Sequence, residues 1–121
     1  MKNILLAHIM FMCLNGCAMY KVYYAYNISA KNIGEIKLRD VIITSDKGFW
    51  HATGYLNKGA VKTLGGLKSV PPNGIYTIVV KNLEKERQTS VIDLHDKIKN
   101  GFRGEIVFLV DKDYHVTYEL E

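Results

Sequence analysis

From Met19 onward nearly every segment of the chain reads as strand, and several segments place their apolar residues on one parity, the spacing of a strand with one face buried. Met19 to Ser29 places Tyr20, Val22, Tyr24 and Tyr26 on one parity and predicts a first strand, with Ser29-Ala30-Lys31-Asn32 as a turn. Ile36 and Leu38 then share one parity while Val41 and Ile43 share the other, so a β-bulge or kink is expected at Arg39-Asp40. Ser45-Asp46-Lys47-Gly48 is a turn signal, followed by a short strand from Phe49 to Tyr55. Another strand is expected near Ala60 to Leu64, among the glycines Gly59, Gly65 and Gly66. Pro71-Pro72-Asn73-Gly74 is the strongest break, since two prolines remove two backbone donors.

Ile75 to Val80 is apolar on both parities and predicts a central strand covered on both faces. Asn82 to Arg87 reads as a charged hairpin loop, with Thr89 to Leu94 returning from it. His95 to Gly101 reads as a loop or one helical turn anchored by Ile98 and Phe102. Gly104 to Val110 and Tyr114 to Leu120 form the clearest hairpin, joined by Asp111-Lys112-Asp113. In the last strand Tyr114, Val116, Tyr118 and Leu120 face one way, and His115, Thr117 and Glu119 the other. Seven or eight short strands at this spacing predict an all-β domain: a small antiparallel β-sandwich of immunoglobulin-like type, or a small barrel.

The segment before Met19 has a different pattern. One positive charge at Lys2 precedes an apolar run from Ile4 to Leu14 that is too short to span a bilayer, which takes roughly 20 apolar residues. Leu14-Asn15-Gly16-Cys17 closes the run and resembles a bacterial lipobox. The resemblance implies a lipoprotein signal peptide at residues 1–16 and acylation of Cys17, leaving one domain at residues 17–121. Cysteine usage agrees with it: Cys13 leaves with the leader, so the mature chain keeps Cys17 alone and makes no internal disulfide. The alternative is an ordinary secretory signal with Cys17 left as an unpaired thiol. Ala18 after the cysteine, where Asp would retain a lipoprotein at the inner membrane, implies an outer-membrane, periplasm-facing location.

Charge narrows the function classes. The formal charge of +4 falls to +3 when Lys2 leaves with the leader, and the basic residues are dispersed among acids. A nucleic-acid binder concentrates them on one face or run. Metal ligation is not expected, because His51, His95 and His115 lie in separate elements without ligand spacing. Asp111-Lys112-Asp113 lacks the glycine and terminal glutamate of an EF-hand loop. Ser90, Asp93 and His95 are close in sequence, yet Ser90 and Asp93 point to opposite faces of one strand, so no hydrolytic triad is expected. Gly65-Gly66-Leu67-Lys68-Ser69 lacks the spacing and setting of a phosphate loop. No catalytic residue, metal, cofactor or small-molecule substrate is therefore predicted.

What remains suits contact with another protein. Eight tyrosines supply rigid area with a polar tip, and Phe49-Trp50-His51 offers either a partner anchor or a core tryptophan. Glu84-Lys85-Glu86-Arg87 is either a solvated hairpin tip or a charged contact. The order of features, from the Tyr-rich strand ending at Asn27 through Val41-Ile42-Ile43 and Val91-Ile92-Asp93-Leu94 to the hairpin beginning Gly104-Glu105-Ile106, resembles small bacterial lipoproteins. Several of these are immunity proteins that block type VI secretion effectors in the periplasm. The resemblance implies occlusion of a toxin by binding; by residue type and loop position the expected contacts are Trp50, His51, Tyr55, Glu84, Lys85, Glu86 and Arg87. Basic loop residues would suit an acidic cleft on the toxin. A structural or assembly lipoprotein of the envelope or a secretion machine is the alternative.

Overall fold

The computed structural model describes residues 24–65, 69–99 and 101–121. Eight strands form: β1 (Tyr26–Asn32), β2 (Asp40–Ser45), β3 (Trp50–Ala52), β4 (Val61–Thr63), β5 (Ile75–Lys81), β6 (Arg87–Asp93), β7 (Gly104–Val110) and β8 (Val116–Leu120). They make two four-stranded sheets, β4-β1-β7-β8 and β3-β2-β5-β6, packed as a small β-sandwich. All pairings are antiparallel except β1 with β7, which run parallel from Tyr26↔Gly104 to Asn32↔Val110. Cys17 and the tyrosines Tyr20 and Tyr23 lie outside the described residues.

The core forms where the inward parities of the two sheets meet. Tyr26, Ile28, Ala30, Ile106, Phe108 and Val110 come from the first sheet, and Val41, Ile43, Tyr76, Ile78 and Val80 from the second. Across the interface the rings of Tyr76 and Phe108 stand 5.3 Å apart in a tilted arrangement favoured by aromatic quadrupoles. Two tyrosines, one from each sheet, fasten the proline-containing segment to this core. The Tyr26 hydroxyl donates to the Val70 carbonyl at 2.7 Å, and the Tyr76 hydroxyl to the Pro72 carbonyl at 2.6 Å. Burial pushes the Tyr26 hydroxyl up to about 12 and the Tyr76 hydroxyl higher still, so both stay protonated donors.

Three features depart from the expected pattern. Ser29 to Asn32 continues β1 instead of turning, because Ala30 fills a core position and both edges of this stretch are paired, with β4 and β7. β5 is central in its sheet but buried on one face only: Tyr76, Ile78 and Val80 are covered, while Ile75, Thr77 and Val79 line the outer face. The strands with consecutive buried residues are instead the parallel pair, at Ile28-Ser29-Ala30 and Ile106-Val107-Phe108. Finally, the last strand begins at Val116, and Tyr114 sits in the preceding turn with φ 65°.

The parity break at Arg39-Asp40 is a bulge. Asp40 stands opposite Lys81 while the Arg39 amide also donates to the Lys81 carbonyl, so two residues face one. This turns both Leu38 and Val41 into the core. At the other end of the sandwich β7 needs glycine at its first residue. Gly104 has φ 145°, and a Cβ there would lie 2.1 Å from the Glu121 carbonyl oxygen.

Candidate functional site

Strand direction sorts the loops into two ends. β1 and β7 run the same way, away from Tyr24, and the β7–β8 turn therefore lies at the end where β1 finishes. β2 begins and β5 finishes at that same end, since Asp40 pairs with Lys81. This distal end gathers residues 33–39, 53–60, 82–86 and 111–115. The proximal end gathers the start of the described chain, the β2–β3 turn, residues 94–99 and 101–103, and the C-terminus.

Asparagine and aspartate side chains shape the distal loops. The buried Asn32 amide donates to the carbonyls of Ile36 at 2.8 Å and Leu56 at 3.0 Å, and its oxygen accepts from the Gly34 amide at 3.0 Å. One side chain thus joins the loop after β1 to the loop before β4. The Asn82 oxygen accepts from the Glu84 and Glu86 amides at 3.0 and 2.9 Å, folding the β5–β6 tip over itself. Asp111 Oδ1 does the same for Asp113 and His115, at 2.8 and 3.0 Å. These bonds give the Asp111 carboxylate a turn-forming role in the hairpin that the sequence predicts.

Between the three loops lies a cleft of about 230 Å³, lined by Ile36, Asn82, Leu83, Glu84, Glu86 and Tyr114. Its apolar walls stay open to solvent, with Ile36 60% and Leu83 48% exposed. Ile33, 48% exposed, and Tyr55, 65% exposed, extend the apolar surface on the same end. The Lys37 ammonium stands 4.8 Å over the Tyr55 ring, a cation–π contact that holds both side chains down. Tyr114 adopts its left-handed backbone where Gly, Asn or Asp would be less strained.

The structure separates the expected contacts into two groups. Tyr55, Glu84, Lys85 and Glu86 share the distal end, and Arg87 begins β6 just beneath them. Trp50 and His51 lie on β3, toward the proximal half. Trp50 is 64% exposed, which settles it as a surface residue and not a core one. It heads a cross-strand row on the outer face of the second sheet, Trp50↔Thr44↔Thr77↔Val91. Thr77 is four residues from Lys81 along β5, roughly 13 Å, so Trp50 and the β5–β6 tip do not form one compact site. The exposed His51 stacks its ring 5.3 Å from buried Phe49. The cleft's apolar walls were not among the expected contacts. Leu83 carried the available signal, as the lone apolar residue in a run of charges.

Among the described residues Asp111, Asp113 and His115, set at alternate positions of the β7–β8 turn, bring one potential ligand atom each within 4.8 Å of one another, a spacing not expected for His115 from the sequence; Asp93, His95 and Asp96 form local pairs. Asp93 accepts a short hydrogen bond from the His95 ring, and Asp96 lies 3.1 Å from the second ring nitrogen. That hydrogen bond, then the charges of Asp93 and Asp96, raise the His95 imidazole above its ordinary 6.5. The same bond, with one from the His95 amide, lowers Asp93 below 3.8. A raised histidine stabilises the fold below 6.5 and loses that contribution as pH climbs through its folded pKa. A lowered aspartate stabilises above 3.8 and loses it as pH falls. The pair is therefore fully formed between these limits, and its solvent exposure makes the effect visible in titration more than in stability. NMR titration should show His95 titrating above 6.5, and Asp93→Asn should bring it back down. A native-protein value at or below 6.5 would contradict the pair. A second cleft of about 510 Å³, lined by Lys97, Ile98, Lys99, Gly101 and Phe102, lies at the proximal end.

No helix among the described residues is long and apolar enough to cross a membrane. No family model and no curated protein matches the chain. Among solved structures it is similar to an NMR structure of a protein from Eubacterium rectale, with a TM-score of 0.55 and 10% identity. The match covers 79% of this chain and 87% of that one, and at this identity it speaks for the fold alone.

Proposed function

We propose that the protein is a lipid-anchored periplasmic binder, an immunity protein that neutralises a secreted type VI effector by covering it with the distal loops. The observation that carries this reading is the position of the open apolar surface. Ile33, Ile36, Tyr55 and Leu83 are exposed at the end opposite Tyr24. A tether on Cys17 would reach Tyr24 across seven residues, at most about 25 Å. The proximal end would then face the bilayer, and the distal loops would stand outward by the further length of β1, roughly 20 Å. Two or more acyl chains on Cys17 would make the anchoring stable.

Exposed apolar side chains on loops held by side-chain hydrogen bonds suit recognition, since little conformational freedom is lost on binding. Under this reading no residue of the chain is catalytic. A second reading, an assembly lipoprotein, draws support from the Trp50–Val91 row, which offers a flat contact face away from the distal end. Neighbouring genes discriminate the two: a toxin gene favours immunity, and pilus or secretion-core genes favour assembly. Deleting the gene should sensitise cells to sister cells that deliver effectors, and Cys17→Ser should move the protein from the membrane to the soluble fraction. Unchanged survival against every neighbouring effector would contradict the immunity reading, and unchanged membrane association would contradict the anchor.

A further inference from the structure

The distal cleft has a chemistry that names what it would hold. Its volume of about 230 Å³ lies below the roughly 300–1,000 Å³ usual for small-molecule sites, so it suits one side chain of a larger partner. Ile36, Leu83 and Tyr114 form apolar walls, and both charged residues that line it, Glu84 and Glu86, are acidic. That is a local inversion in a chain of formal charge +4. The Glu86 carboxylate is oriented at one oxygen by the Asn82 amide at 3.2 Å, leaving the other oxygen for a ligand. Apolar walls with an acidic rim complement a long basic side chain, whose methylene stem is buried while its head stays charged.

We propose that this cleft receives an arginine side chain of the protein partner. Arginine fits better than lysine because a planar guanidinium with five donors can engage two carboxylates at once, whereas an ammonium is a point charge. The partner surface would then be basic here, complementary to the Glu84–Glu86 rim. The source of the arginine rests on the binder reading above; the affinity of the cleft for a guanidinium does not.

The test is an NMR titration of the full-length protein with N-acetyl-arginine amide, with the citrulline amide as a neutral probe of the same shape. For so small a ligand the Kd should be on the order of 1–10 mM. Saturable shifts are expected at the amides of Leu83, Glu84, Glu86 and Tyr114, with citrulline at least about tenfold weaker and the lysine amide in between. Glu84→Gln with Glu86→Gln should weaken arginine by about tenfold while leaving the rest of the spectrum in place. Absence of saturation, equal binding of citrulline, or undiminished binding by the double variant would overturn the proposal. If arginine binds but the deletion strain survives every effector, the cleft stands and the immunity reading fails. Sensitised deletion cells without arginine binding would mean the reverse.

Discussion

Phe108→Ala is expected to be the most damaging single truncation in the sandwich, lowering unfolding free energy by about 3–5 kcal/mol. Phe108 is fully buried at the centre of β7, and its ring meets Tyr76 of the opposite sheet. Removing it takes away the transferred apolar surface and leaves a cavity between two paired sheets that cannot collapse freely. Native stabilities of about 5–15 kcal/mol make that a large share of the total. At about 4–8 °C per kcal/mol for a domain of this size, melting should fall by roughly 12–40 °C. Thermal or urea denaturation followed by circular dichroism measures it. A loss below about 1 kcal/mol would show that the two sheets do not pack through this ring.

Asn32→Ala should cost about 3 kcal/mol, although it removes far less apolar surface. The side chain is buried, and its loss leaves the Ile36 carbonyl and the Gly34 amide without their partner and takes from the Leu56 carbonyl one of its two donors, the other being the Leu38 amide. A buried group left unsatisfied costs about 1–3 kcal/mol, and solvent entering from the loop side would recover part of the total. Asn32→Asp should be no milder, because a carboxylate cannot donate and would face two carbonyl oxygens. Hydrogen exchange should localise the damage, with faster exchange at Gly34, Leu38 and Leu56 and little change in β5 and β6. Protection that falls evenly across both sheets would contradict a local role for this side chain.

Much of the fold was legible because a one-sided strand writes its burial into alternate residues. Gly104 to Val110 is bounded in the structure as expected from the sequence, and Tyr114, Val116 and Tyr118 of the alternating last segment do pack inward. The misreadings share a cause. Whether a strand is covered on one face or two depends on its neighbours, and the parallel pairing of β1 with β7 joins segments far apart in sequence. Nothing local in Ser29-Ala30-Lys31-Asn32 announces that it will be paired on both edges. Ile75 to Val80 looked doubly covered because β-branched residues also suit a sheet face turned to solvent.

The candidate site was legible in parts and not as a whole. Glu84, Lys85 and Glu86 stand in an evident turn, and Tyr55 follows a glycine at a strand end. Ile36, Leu83 and Tyr114 belong to three separate loops, brought together only by the sandwich and the hydrogen bonds of Asn32, Asn82 and Asp111. Trp50 and His51 drew attention through residue type, yet β3 carries them onto another surface.

That separation permits a direct test of the central claim, that the distal loops make the protective contact. In the deletion strain, survival against the cognate effector would be compared for wild type, Ile36→Asp with Leu83→Asp, and Trp50→Asp with Val91→Asp. All four positions are exposed, so matched melting curves and matched membrane levels should accompany each variant. Loss of protection is expected with the distal pair only, since two buried carboxylates at an apolar contact would disfavour the complex strongly. Full protection by the Ile36→Asp, Leu83→Asp protein, with protection lost instead in the Trp50→Asp, Val91→Asp protein, would place the contact on the sheet face and contradict the account.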